Sequence, residues 1–237
     1  MATLVFDIET HALPLSAFDA AQQEYLLRDA YRLPEGPERD ARRAEVQRQM
    51  ALYPLTAQVI CIAMINADSG RGQVLYLSDD YQPDDESDVK FVTYSDEGEL
   101  LHDFWELARR YDHVVTFNGR SFDVPFLYLR SAILAVEITR RDWLGYRFQT
   151  EPHCDLAEQL SFYNVSGRDG AARRFNFDFY CKAFGIDSPK SHGVTGSDVA
   201  SLVAESRFRE IAEYCLRDVR ATVELHRIWK ARLAGIK

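Results

Sequence analysis

Short apolar runs in the first third of the chain have the length and composition of buried strands. The first covers residues 2–7 and predicts a strand that enters a loop near Thr10. Two further runs, residues 59–65 and 73–77, flank turn-forming residues 68–70 and predict a hairpin. Together the three strands make a small antiparallel meander.

The segment between the first two strands has a helical pattern. Residues 16–51 are interrupted near Pro34, Gly36 and Pro37 and are rich in Arg, Glu and Gln, as solvated helix faces are. We interpret residues 11–55, approximately, as a helical insertion. Its role stays open, because such an insertion can cover a site, mediate dimerisation or only decorate the fold.

Strand and helix patterns alternate in the rest of the chain. The acidic segment 79–88 is most simply a solvated loop, and residues 191–197 predict a glycine-rich loop. The other predicted elements are a helix opening at Ser95, a strand at 113–117, a helix at 124–134, a weak strand at 153–155 and a terminal helix at 208–233. This order predicts an α/β domain whose mixed sheet is flanked by helices.

The length, the apolar runs and the cysteines argue against a membrane protein and a secreted protein. The chain has 237 residues, enough for one large domain, and its apolar runs are too short to span a bilayer. Asp7 and Glu9 interrupt the stretch that a signal peptide would need, and the four cysteines form no CxxC pair. We therefore expect one cytoplasmic domain over residues 1–237, with no membrane segment and no room for a polymerase.

The net charge is −9, and the acidic excess lies in the first half of the chain. Phosphate backbones favour basic surfaces, so this charge does not by itself point to nucleic acid. A site that gathers carboxylates around divalent cations is also compatible with it, because bound metal reverses the sign of the local field. The charge therefore leaves the partner undecided.

Two acids follow the first apolar run in the sequence FDIET, residues 6–10. Side chains of an extended chain alternate between faces, so Asp7 and Glu9 project to the same side, within reach of one ion. Two solvated acids at a strand end are the alternative. An apolar run leads directly into the pair. This favours a position of the two acids at the edge of a buried sheet.

Two more acids stand in motifs further along. In NGRSFD, residues 118–123, Asp123 can cap the following helix, point at a metal ion, or do both. In YCLRD, residues 214–218, Tyr214 and Asp218 share one helix face. A partly buried tyrosine beside a surface acid is the alternative there.

The three motifs together favour a metal site. Each lies in an element that can converge at one end of a sheet, and four clustered carboxylates repel strongly unless cations lie between them. Hard oxygen ligands select Mg²⁺ or Mn²⁺. A pair of such ions activates water and stabilises the attacking and leaving oxygens of a phosphoryl displacement.

FDIET, NGRSFD and YCLRD, in this order and at these separations, resemble the three motifs of DEDD-type 3′–5′ exonucleases. The resemblance is greatest to the proofreading domain of family-B DNA polymerases and to stand-alone polymerase-B-like predicted exonucleases. It covers nearly the whole chain and is weakest over residues 11–55. It implies a ribonuclease H-like fold, two divalent ions and a single-stranded 3′ end as substrate.

The same resemblance implies a role for each acid. Asp7 would bridge the two ions, and Glu9 and Asp218 would complete the coordination of the ion that activates water. Asp123 would hold the second ion through water, and Tyr214 would orient the nucleophile. The sister subclass has a histidine at the position of Glu213, so the tyrosine variant, DEDDy, is indicated.

Further positions match the family near the terminal nucleotide. Thr10, Asn118 and Phe122 are expected to contact it, and Phe122 either stacks on a base or sugar or packs in the core. A group of basic residues either touches phosphates or is solvated. These residues are Arg173, Arg174, Lys190 and His192.

The sequence His153-Cys154-Asp155 does not predict a zinc site, because no second His or Cys pair stands at ligand spacing. We expect His153 to be structural or near the substrate, and Asp155 to cap a helix.

The expected activity is release of 5′-mononucleotides from a single-stranded 3′ end, with DNA favoured over RNA and a role in DNA repair. A catalytically silent nucleic-acid-binding module of the same fold and an RNA-directed exonuclease are the alternatives.

Overall fold

The computed structural model describes residues 2–78, 88–164, 170–188 and 196–236. Within these ranges, six strands form one mixed sheet in the order β4-β3-β2-β1-β5-β6. The strands are β1 (Thr3–Ala12), β2 (Ala57–Asn66), β3 (Gly72–Leu77), β4 (Val89–Tyr94), β5 (His113–Thr116) and β6 (His153–Asp155). The α-helices are α1 (Ala20–Tyr31), α2 (Pro37–Met50), α3 (Glu97–Ala108), α4 (Asp123–Ile133), α5 (Leu156–Leu160), α6 (Phe177–Phe184), α7 (Val199–Ala204) and α8 (Phe208–Arg232).

The predicted meander and the α/β class are confirmed. β1 pairs antiparallel with β2, β2 pairs antiparallel with β3, and β1, β5 and β6 run parallel. The hairpin between β2 and β3 and the terminal helix also lie where the sequence predicted them. Parts of the predicted loops at 79–88 and 191–197, with Lys190 and His192, fall outside the described residues.

Two strand predictions need correction. β4 was missed, although its sequence VKFVTY is rich in β-branched and aromatic residues, and it pairs parallel with β3. β1 was predicted too short, because it continues past Thr10 to Ala12 in antiparallel pairing with β2. The register shifts between Glu9 and Thr10, which marks a bulge beside the acidic pair.

The two faces of the sheet carry separate hydrophobic clusters. Even-numbered residues of β1, such as Phe6, pack with Phe104, Trp105 and Trp143 on the side of α3 and α4. Val5 packs on the opposite face, which α8 covers. Alternation along the strand therefore places Asp7 and Glu9 on the α8 face.

A buried ion pair joins the helices of the first face to the sheet. Arg130 of α4 donates from Nε and Nη2 to Glu97 of α3, over 3.0 and 2.5 Å. Glu97 also accepts from the backbone N–H of Val59 in β2, over 2.8 Å. Because both side chains are nearly inaccessible to solvent, each charge depends on the other for compensation.

The helical segment between β1 and β2 consists of α1 and α2. Asp19 forms a capping box with Gln22 at the start of α1. The predicted interruption is present, because Gly36 has a φ of 145° and Pro37 is the first residue of α2. Leu27, Ala30 and Met50 are the buried residues of this helix pair.

Among the described residues, no helix is both long enough and apolar enough to cross a membrane.

Candidate active site

Asp7 and Glu9 lie in the middle of a ten-residue strand rather than at its end. The prediction that they share a face is confirmed, but the predicted strand end is wrong because β2 pairs with the whole of β1. On its other side β1 pairs with β5 only over residues 3–5. The backbone of β1 beside the two acids is therefore accessible to α4.

Asp123 contacts the part of β1 that β5 does not cover. It is the first residue of α4, and its Oδ1 accepts a hydrogen bond from the backbone N–H of Ile8, over 3.2 Å. The N-cap of α4 is Phe122, whose side chain has no hydrogen-bonding group, so of the alternatives that the sequence left open for Asp123, the N-cap position is not the one observed. Its carboxylate instead joins α4 to β1, beside Asp7.

α8 brings the third motif to the same place. Tyr214 is 6% exposed, and its hydroxyl donates to Asp218 one turn later. Both residues line a cavity of 220 Å³ together with Asp7. Asp218 is therefore half-buried at a cavity rather than fully exposed, and the tyrosine faces the carboxylates.

Burial, together with neighbouring carboxylates in the case of Asp7 and Glu9, makes three of these acids costly to ionise. Burial, followed by the charges of Asp123 and Asp218, raises the pKa of Asp7 well above its usual value. Burial and the charge of Asp218 do the same to the pKa of Glu9. Burial raises the pKa of Asp123 to about 7. Cations between the carboxylates would relieve this repulsion.

The thiol of Cys215 lies next to Asp7. The Sγ of Cys215 is 3.4 Å from the backbone oxygen of Asp7 and 3.9 Å from its Oδ2. One ligand atom each from Asp7, Glu9 and Cys215 lies within 4.8 Å of the other two. Burial and a hydrogen bond with Cys61 raise the pKa of the Cys215 thiol, so the charged donors are carboxylate oxygens. This donor set fits a hard divalent cation such as Mg²⁺ or Mn²⁺.

Asp155 organises the loop that follows β5. It caps α5 by accepting from the N–H of Ala157, as predicted. It also accepts from the N–H groups of Asn118 and Arg120, over 2.8 and 3.0 Å, which the sequence did not reveal. The loop bonds hold Asn118 at a φ of 69°, where Asn is tolerated better than most residues.

His153 is structural. Its Nδ1 lies 3.1 Å from the Trp143 carbonyl and its Nε2 lies 2.8 Å from Thr116 Oγ1. Burial lowers the pKa of His153 to about 3, so the ring is neutral. Since both ring nitrogens have partners, the expectation of no zinc site here agrees with the geometry.

The three residues expected beside the terminal nucleotide are divided between two places. Thr10 and Phe122 line a second cavity of 480 Å³ together with Glu9. Phe122 also packs against the first hydrophobic cluster and lies 5.5 Å from Phe126 by ring centroids, so both interpretations of it stay open. Asn118 is not part of that lining, and its Oδ1 accepts from Arg174 over 3.0 Å.

Comparison with known proteins gives a family match over most of the chain. Residues 53–229 match the family described as "Predicted 3'-5' exonuclease related to the exonuclease domain of PolB". This range begins after β1, so Asp7 and Glu9 lie outside it.

Two DNA polymerases are among the similar proteins. DNA polymerase 1 of Saccharolobus solfataricus is 28% identical over 193 residues, which are 75% of this chain and 20% of the polymerase. DNA polymerase 1 of Aeropyrum pernix is 27% identical over 235 residues, which are 93% of this chain and 21% of the polymerase. The chain thus spans about a fifth of the length of the curated relatives it matches.

Proposed function

The chain belongs to the family of predicted 3′–5′ exonucleases related to the exonuclease domain of PolB, and from this membership we propose a specific reaction for it. It hydrolyses the terminal phosphodiester at the 3′ end of single-stranded DNA and releases 5′-mononucleotides. One observation carries the proposal: Asp7, Glu9, Asp123 and Asp218 meet at the centre of the sheet, with Tyr214 beside them. The names of the relatives support DNA as the substrate.

Exonuclease domains of this kind generally use divalent metal ions, and we propose two ions, Mg²⁺ or Mn²⁺, for this site. Asp7 would hold both, Glu9 and Asp218 would complete the binding of one, and Asp123 would bind the other. When bound, the ions activate water and stabilise the developing charge on the phosphate oxygens. The convergence of these carboxylates on one place supports the assignment.

Tyr214 would orient the attacking water. Burial and the charge of Asp218 raise the pKa of its phenol, so the hydroxyl stays protonated at neutral pH and serves as a hydrogen-bonding group rather than a base. The bond to Asp218 fixes its direction. Thr10, Asn118 and Phe122 would hold the terminal nucleotide.

We also propose that residues 1–237 act as one domain in the cytoplasm. All four cysteines, each among the described residues, are free thiols, which supports a reducing compartment. A contribution to DNA repair is consistent with this activity.

The activity is tested with 5′-labelled DNA and RNA oligonucleotides of the same sequence, each supplied with Mg²⁺ or Mn²⁺. We expect a ladder of products shortened from the 3′ end, formed faster from DNA, and no products once the metal is chelated. Faster degradation of RNA would contradict the DNA preference. Intact strands in every reaction would contradict the exonuclease itself.

Replacing Tyr214 by phenylalanine should slow hydrolysis about 10-fold to 100-fold, because the water loses its orientation while the carboxylates remain. Single-turnover rates measure this effect, and the rise in melting temperature on adding Mn²⁺ measures metal binding, which should persist. Tyr128→Phe is the control, since its hydroxyl donates to the Arg140 carbonyl away from the carboxylates. An unchanged rate in the Tyr214 variant would remove this residue from the mechanism.

A further inference from the structure

The C-terminal end of α2 forms one wall of the 480 Å³ cavity, which we call the Glu9 cavity. β1 contributes Glu9 and Thr10 to its lining, and Phe122, the N-cap of α4, also lines it. Arg48 of α2 and Leu52, just beyond that helix, line the same space. The helical segment therefore reaches a carboxylate of the candidate active site.

Hydrogen bonds hold this end of α2 against the strand that carries Glu9. The hydroxyl of Thr10 donates to the carbonyl of Ala51, over 2.7 Å. The hydroxyl of Thr56 donates to the carbonyl of Met50, also over 2.7 Å, and Met50 is 3% exposed. Because these bonds start in β1 and next to β2, the position of α2 is coupled to that of Glu9.

The lining has the chemistry that a nucleotide strand requires. Phe122 offers an aromatic ring on which a base can stack. Leu52 offers an apolar side chain that is 54% exposed to solvent. Arg48 supplies a cation. The cavity volume lies in the range of about 300–1,000 Å³ that is usual for ligand sites.

Arg48 is available for a phosphate. Among the described residues it pairs with Glu45, one turn earlier on α2, and the Arg48 side chain is 66% exposed. Exposed ion pairs of this kind contribute little to stability. Both bonds of Arg48 to Glu45 end on one oxygen, Oε2, whereas a phosphate can accept a bidentate pair of hydrogen bonds on two oxygens. The guanidinium can therefore exchange Glu45 for a phosphate.

We propose that α2 is part of the nucleic-acid cleft: Leu52 packs on the 3′-terminal nucleoside across from Phe122, and Arg48 binds a backbone phosphate of the strand at the mouth of the Glu9 cavity. This rests on the proposed function. It gives the helical segment a role in holding the substrate rather than in decorating the fold. The occupant is a single strand, because stacking and one phosphate contact do not require a paired base.

The test compares two pairs of variants by steady-state kinetics on single-stranded DNA. Leu52→Ala and Arg48→Ala change the cavity wall. Leu55→Ala and Arg43→Ala are matched controls, since both residues are exposed and neither lines the cavity. We expect KM to rise about fivefold to tenfold for each wall variant, with kcat within about twofold of the wild-type value. The controls should keep the wild-type KM.

Salt dependence separates the two contacts. Arg48→Ala should reduce the slope of log KM against log salt by about 0.7, the value for one phosphate contact on a single strand, and Leu52→Ala should leave the slope unchanged. Equal melting temperatures of all four variants would show that folding is intact. Wall variants that match their controls in KM would overturn the role of α2 while the wild-type ladder still supports the exonuclease. A wild type that cuts no oligonucleotide would overturn both.

Discussion

Asp7→Asn is expected to lower the exonuclease rate by about a thousandfold or more and, in the absence of metal, to stabilise the fold. Activity should fall because Asp7 is the carboxylate that we propose to hold both ions, and a loss of about 4 kcal/mol of transition-state stabilisation corresponds to this factor. Stability rises because burial and the neighbouring acids oppose the ionisation of Asp7. Single-turnover assays and thermal unfolding measure the two effects.

The pH dependence of stability follows from the same repulsion. A carboxyl whose pKa is raised in the folded state contributes stability below its unfolded value of about 3.9, and this contribution is lost as the pH rises toward neutrality. The metal-free wild type should therefore lose more stability than Asp7→Asn between about pH 4 and pH 7. Each kcal/mol of repulsion removed should raise the melting temperature by about 2–4 °C.

Asp112→Asn is the matched control for Asp7→Asn, because Asp112 is exposed and the change in net charge is the same. It should leave both activity and stability at their wild-type values. Mn²⁺ should raise the melting temperature of the wild type more than that of Asp7→Asn. Activity within tenfold of the wild type would remove Asp7 from the mechanism, and an unchanged stability would show that the carboxylates do not repel.

Glu97→Gln should lower the free energy of unfolding by about 3–5 kcal/mol, because it leaves the guanidinium of Arg130 buried without a counter-charge. The glutamine can still accept from the N–H of Val59, so the loss reports mainly the missing charge. Urea unfolding measures it, with the slope of the free energy against urea used to check that the unfolded state is unchanged.

Glu106→Gln is the control for this change. Glu106 also lies on α3 and pairs with Arg109 over 3.0 Å, but the two side chains are 39% and 51% exposed. Its loss should cost less than about 1 kcal/mol. Similar effects of the two substitutions would contradict the assignment of the Glu97–Arg130 pair as the charge that anchors α3 and α4 to the sheet.

Secondary structure followed from local patterns wherever an apolar run was continuous or a helical periodicity was long. The meander, α3 and the terminal helix α8 are all of this kind. β4 was missed although its residues are mostly β-branched or aromatic, because the preceding acidic segment favoured a loop. The predicted β1 was too short because Thr10 and His11 are polar. Only pairing with β2 keeps these residues extended.

Residue spacing also established which acids face the same way. Asp7 and Glu9 share a face because side chains alternate along a strand, and Tyr214 and Asp218 share one because they are a helical turn apart. These periodicities are properties of the local backbone, so they hold before any tertiary contact forms. The resemblance of the three motifs to an exonuclease family then joined the separate pairs into one expected site.

Contacts between distant segments decided the rest. Asp123 turns to the backbone of Ile8 instead of capping α4, because β5 stops short and leaves that edge of β1 accessible. Asp155 binds the loop at Asn118 because β6 lies beside β5. The end of α2 reaches the Glu9 cavity because Thr10 holds Ala51. Periodicity along a chain specifies the direction of a side chain, whereas the partner it meets depends on how the strands are ordered and where their pairing ends.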